Sequence, residues 1–211
     1  MTILSLKGQM GDFMSLIKAE IKIKGTRPLL FNKFSADSIP LVKREKSGVA
    51  GNNPEEWKKT FLATSEGQLY LRTDYIFSCL REGAKHTPNG RGTLEPVVSA
   101  TLQIASENLY LNRYVPKDES MITKDDSQEI YIDVRPVSRR GVKNIRYRLA
   151  TSAGWETNFI IMWENTLINR EQMKAICIDA GAFAGLGDGR KLGYGRFEIV
   201  SFIISEEKKY A

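Results

Sequence analysis

The sequence predicts an α+β fold whose core runs strand, helix, strand, strand, helix, strand. Three observations carry this. Apolar and polar residues alternate with period two over residues 19–27, as a half-buried strand requires, and residues 156–163 carry a strong strand pattern. Two stretches repeat apolar residues at helical spacing behind capping residues, one from Thr73 or Asp74 and one from Asn169. A glycine-rich loop from Gly185 to Gly195 then leads into a last apolar strand.

The first strand, AEIKIKGTR, stops at Pro28, which cannot donate to a sheet. An irregular stretch follows to about Asn53, where Asn53-Pro54-Glu55-Glu56 has the composition of a helix start. Residues 61–63 and 68–71 flank Ser65-Glu66-Gly67 as a hairpin. The first core helix runs to about His86, with Ile76, Leu80 and Ala84 on one stripe and Arg81, Glu82 and Lys85 on the polar side. Pro88-Asn89-Gly90-Arg91-Gly92 is a turn, and residues 94–100 read as a short helical or mixed piece. Strand patterns recur at 102–105, 109–114, 130–135 and 145–150. The 156–163 strand places Phe159 and Trp163 on the core side. Asn169 with Gln172 opens the second core helix, whose expected stripe is Met173, Ile176, Cys177, Ala180 and Phe183. The last strand spans 196–204, with a charged tail expected from Glu206.

Stripped of insertions, this order is the ferredoxin-like βαββαβ unit, the topology of an RNA-recognition sheet. The whole of 1–211 reads as one domain, with insertions at 28–70, after the first strand, and at 112–150, in the middle.

Composition narrows the chemistry. With 42% hydrophobic and 27% charged residues, the chain is ordinary globular protein and needs no disulfide or metal to hold a core. Cys79 and Cys177 read as small buried hydrophobes, and His86 is the lone histidine, so no metal site and no cofactor are expected. No apolar run reaches the length of a membrane span and no secretory leader pattern opens the chain, so the expectation is a cytoplasmic protein without a membrane partner.

The net charge of +6 points to an anionic partner. Arg135, Arg139, Arg140, Lys143, Arg146 and Arg148 fall together with no acid among them, whereas Asp118, Glu119, Asp125, Asp126 and Glu129 cluster just upstream. Tyr131, Tyr147, Trp155 and Trp163 lie among or near the cations. Tyr147, between Arg146 and Arg148, is the best candidate to stack a base.

The loop is the most specific signal. Gly185, Gly187, Gly189, Gly193 and Gly195 stand among Arg190, Lys191 and Arg196. Glycine permits backbone that other residues avoid, and amides freed by it can form a concave anion site beside those charges. The ordinary alternative is a flexible turn beside a hairpin. The order is helix, loop, strand, and the Gly-Lys-Ser/Thr ending of a triphosphate loop is missing.

Gly185-Leu186-Gly187 and Gly193-Tyr194-Gly195, with Arg190 and Lys191 between and Phe197-Glu198-Ile199-Val200 behind, resemble the glycine-rich loop of the RAMP superfamily of CRISPR effector proteins. A second likeness to that family's backbone branch lies at Leu69-Tyr70-Leu71 followed by a helix carrying Arg81. There Arg72-Thr73-Asp74-Tyr75 replaces the family's Pro-Gly-Ser-Ser, and Phe77 stands where it has lysine, which marks a divergent member. The resemblance implies a ferredoxin-like protein that coats guide RNA and, with it, a complementary target strand. It also implies contacts with copies of itself and with other effector subunits, and a thumb-like hairpin within 112–150.

On this reading the loop residues, the basic segment and Arg72, Arg81 and Lys85 would contact RNA. Solvated helix charges are the alternative for the last three. Some relatives cleave RNA, so an endoribonuclease is the second reading. It would use His86 as general acid–base or Asp37, in the loop after the first strand, in metal-assisted cleavage. The alternatives are a helix-end cation for His86 and a local turn with Ser38 for Asp37. A third reading is a protein-interaction module.

Overall fold

Residues 15–33, 53–139 and 142–209 are described by the structure, a computed structural model. Strand β1, Ser15–Gly25, is central, because its alternation turns Ile17, Ala19, Ile21 and Ile23 inward. On one side it pairs antiparallel with β11, Glu156–Glu164, and on the other with β12, Phe197–Lys209. A short strand β7, Gln103–Ile104, completes the four-stranded order β12-β1-β11-β7. With helices α1, Thr73–Gly83, and α3, Arg170–Asp179, this is the ferredoxin-like arrangement that the element order predicts.

Ile76 and Leu80 of α1 and Met173 and Ile176 of α3 join the inward face of β1 and β11 in one core. Phe159 and Trp163 are both buried, as their strand parity demands. The indole N–H of Trp163 donates to the Ile168 carbonyl at 2.8 Å, and that of Trp155 to Arg27 at 2.9 Å, so neither ring buries an unpaired donor. Cys79 and Cys177 are buried and free. Burial pushes the Cys79 thiol up to about 12, against a smaller opposing pull from Arg190.

Asn169 caps α3. Its side chain accepts from the Gln172 amide at 2.9 Å, and Gln172 returns the bond at 3.0 Å. Asn169→Ala is expected to lower stability by about 1 kcal/mol, read as a lower urea midpoint at unchanged slope.

Three expectations need correction. The helix after α3 widens into a π turn, Ala180–Ala184, and that extra residue per turn rotates Phe183 outward, leaving it 56% exposed. The expected tail at Glu206 is strand: β12 runs on to Lys209, with Glu206 opposite Lys18 and Lys209 opposite Ser15. The register of β12 against β1 shifts twice, between Lys18 and Ala19 and between Lys22 and Ile23, each time by one extra residue in β12. Finally, the Asn53 start gives only a 3-10 turn, Glu56–Lys59.

Two further three-stranded sheets lie outside the four-stranded one. Strands β3, Leu62–Ala63, β4, Gln68–Arg72, and β8, Asn108–Tyr114, form one. Strand β2, Leu29–Leu30, joins a hairpin of β9, Ile130–Arg139, and β10, Val142–Thr151, to form the other. The basic segment is thus the hairpin's own strands rather than a loop between them. Strands β5, Pro88–Asn89, and β6, Gly92–Thr93, make a small hairpin, and residues 94–100 fall largely in α2, Glu95–Thr101. Among the described residues no helix is long and apolar enough to cross a membrane.

Candidate nucleic-acid interface

The glycine loop folds back on itself and on the segment after β1. The Leu186 amide donates to Gly195 at 2.9 Å, Gly195 to Pro28 at 2.7 Å, and Asp188 to Leu30 at 2.9 Å. All five glycines have positive φ. At Gly195 the need is steric as well, since a Cβ there would run into the Leu186 carbonyl. At Gly187 it would meet the Leu30 carbonyl.

This corrects the expectation of an open nest of amides. Most loop amides are committed to the chain's own oxygens, and Gly185, Gly187 and Gly195 are buried. Anion attraction must therefore come mainly from side chains and from what surrounds the loop.

One such place exists. A cavity of about 180 Å³ is lined by Gly185, Gly187 and Arg190 of the loop and by Asp74, Tyr75 and Ser78 of α1. It lies against the first turns of α1, where the backbone dipole favours negative charge. Arg190 is exposed at its rim. Asp74 would oppose an anion, but Arg72 grips its carboxylate at 2.7 Å. The Tyr75 hydroxyl donates to the Asn32 carbonyl at 2.8 Å, and burial, followed by the charge of Asp74, raises its pKa, keeping it protonated. A second cavity of about 360 Å³ is lined by Asp74 and Tyr75 again, with Lys33, Leu62 and Arg72. The two therefore meet at the start of α1.

Arg196 reaches back to the Arg190 carbonyl at 3.4 Å, and its Nη1 is buried without a hydrogen-bond partner among the described residues. Lys191 is exposed beside Arg190.

The basic hairpin divides into two parts. Near its base the cations are paired within the chain. Arg148 is 7% exposed and its Nε lies 3.2 Å from the Asp188 carboxylate. That carboxylate also accepts from the Gly189 amide at 2.8 Å and the Asn32 side chain at 3.2 Å. Arg135 bonds Asp133 at 2.6 Å and stacks over the Tyr194 ring at 4.6 Å. Arg146 pairs with Glu56 at 2.8 Å. The hairpin base is thereby fastened to the glycine loop through Arg148–Asp188 and Arg135–Tyr194. Toward the tip, Arg139 lies opposite Val142 and Lys143 opposite Ser138 in the ladder. Arg140 is outside the described residues.

Stacking by the aromatics among the cations is corrected for Tyr131, Tyr147 and Trp155, which are buried, while Trp163 is buried as its strand parity leads one to expect. Tyr147 turns away from Arg146 and Arg148 into the core, as strand alternation directs it, with Lys124 over its ring at 5.7 Å. Burial and the charge of Asp133 push the Tyr131 phenol up to about 12. Arg148, expected to touch RNA, is likewise an internal ion-pair partner.

On the helices, Arg81 lies 3.8 Å from Glu95, and Lys85 bonds Glu82 at 2.8 Å. His86 is exposed with its ring against Phe183, centroids 4.7 Å apart, which is the contact that the structure gives it. Asp37 lies outside the described residues. Among the described residues no cluster of His, Cys, Asp and Glu suits a metal ion. Tyr75, Ser78 and Lys33 were not singled out from the sequence. Their signal is position alone, at the start of α1 and just after β2.

No family model and no curated protein matches the chain. Among solved structures, it is similar to a chain of a Type III-B Cmr-beta complex bound to cognate target RNA, seen by cryo-electron microscopy. The identity is 13% and the TM-score 0.52, with 91% of this chain covered. The match spans 61% of that chain's length. At this identity the likeness speaks for a shared fold.

Proposed function

We propose that this chain binds single-stranded RNA without reading its sequence, as a guide-RNA-coating subunit of a CRISPR-type effector assembly. The observation that carries the reading is the cavity between the first turns of α1 and the glycine loop, with Arg190 at its rim. It offers a phosphate a favourable helix end, the Arg190 guanidinium and the Ser78 hydroxyl, and among the described residues nothing there is shaped to select one base over another. Support also comes from the similar chain, which belongs to an RNA-bound CRISPR complex, and from the loop motif. Copies of the chain along the RNA, and other effector subunits, are the partners that this role requires.

Affinity for a labelled oligouridylate should fall steeply with salt, because counterions return as phosphates are released. Replacing Arg190 and Lys191 together by alanine should make the log–log salt slope shallower by about 1.4, roughly 0.7 for each phosphate no longer neutralised. A wild-type affinity that ignores salt would refute the reading.

A further inference from the structure

The second cavity opens onto a surface whose tyrosines none of the readings above uses. Strands β4 and β8 alternate, and Leu69, Leu71, Leu109 and Leu111 take the core side. Tyr70, Arg72, Tyr110 and Tyr114 therefore rise on the outer face, and no Asp or Glu of β3, β4 or β8 joins them there. Tyr70 and Tyr110 are directly opposite in the ladder, their rings 5.7 Å apart. Tyr110 is 42% exposed and Tyr114 54%. Leu62, the cross-strand neighbour of Tyr70, and Arg72 both line the 360 Å³ cavity, so this cavity sits at the edge of the tyrosine face. A path thus runs from Arg190 past Tyr75, between Lys33 and Arg72, and onto the rings.

We propose that this outer face of the β3-β4-β8 sheet is a stacking platform for unpaired bases of the RNA strand whose phosphates sit at the glycine loop. This rests on the RNA-binding reading and adds where the bases go. Exposed rings on a sheet accept any base, because every base has a π-face. The strands of this face add no carboxylate of their own, and Asp74, in the cavity at its edge, is paired with Arg72 at 2.7 Å. Continuity with the phosphate cavity favours RNA over a protein partner as the occupant.

The test is fluorescence anisotropy with a fluorescein-labelled oligouridylate across a salt series. Tyr70→Leu combined with Tyr110→Leu should weaken binding about tenfold at fixed salt, since stacking rather than charge is removed. The salt slope should stay that of wild type, unlike that of the Arg190 and Lys191 variant. Tyr70→Phe with Tyr110→Phe should bind like wild type, because the rings remain.

Unchanged affinity in the leucine variant overturns the proposal, as does a shallower slope in it. Should circular dichroism show that variant unfolded, Tyr114→Ala decides, its ring being the most exposed of the three. A severalfold loss supports the platform and none overturns it. Loss of self-association at intact RNA affinity would make the face a protein contact and also overturn it. If wild type binds no oligouridylate, the functional reading falls and the platform with it. If wild type binds and all tyrosine variants match it, only the platform falls.

Discussion

Gly195→Ala is expected to destabilise the protein by about 3 kcal/mol, the sum of a side chain forced to positive φ and one forced into a packed backbone. The φ of +68° at Gly195 lies where side chains are disfavoured, and the new methyl would meet the Leu186 carbonyl. Relief would require breaking the bonds from Leu186 to Gly195 and from Gly195 to Pro28, which close the loop onto the core. Gly193→Ala is the matched control. Its φ of +88° is as unusual, yet nothing lies within 4 Å of the added carbon, so about 1 kcal/mol is expected. Urea melts of the two variants check this, and equal losses would show that the loop yields freely at Gly195.

The second large effect is at Asp188. Removing its carboxylate leaves Arg148 charged and enclosed, and stranding a buried partner costs about 3–5 kcal/mol. The Asp188 side chain is 34% exposed, so water supplies part of the compensation and about 2–3 kcal/mol is the expected loss for Asp188→Ala. Arg148→Met should be milder, because the carboxylate left behind keeps its bonds from Gly189 and Asn32 and its access to water. Combining the two should recover part of the loss, with a coupling of about 1 kcal/mol or more in a double-mutant cycle. Strict additivity would mean that Arg148 finds solvent once Asp188 is gone.

The elements that the sequence made legible are those whose signals are local. The strand pattern over 156–163 marks β11, the shared parity of Phe159 and Trp163 marks its inward side, and Asn169 with Gln172 marks the start of α3. What it could not show depends on residues far apart in the chain. The alternation over 145–150 marks two faces of β10 but not what covers them. Residues 56–60 cover one edge, where Glu56 accepts from the Tyr147 amide and Thr60 from that of Leu149. Asp188 takes the guanidinium of Arg148 from 40 positions further along the sequence. A run of cations without acids therefore looked entirely free, although its acidic partners lie elsewhere in the chain. The glycine loop was legible as a special backbone and misread in detail, because glycines that serve close self-packing and glycines that expose amides look alike in sequence. The platform tyrosines went unremarked for the converse reason: Tyr70, Tyr110 and Tyr114 stand in ordinary strand alternation, and only the pairing of β4 with β8 gathers them.

Because the ribbon beneath Arg190 and Lys191 is closed by its own main chain, scaffold and grip are separate inheritances. Arginine, lysine or a neutral residue can be exchanged at those two tips without touching a bond that holds the ribbon shut. Charge at the rim can thus be changed freely, while Gly187 and Gly195 beneath are held by what a side chain there would strike.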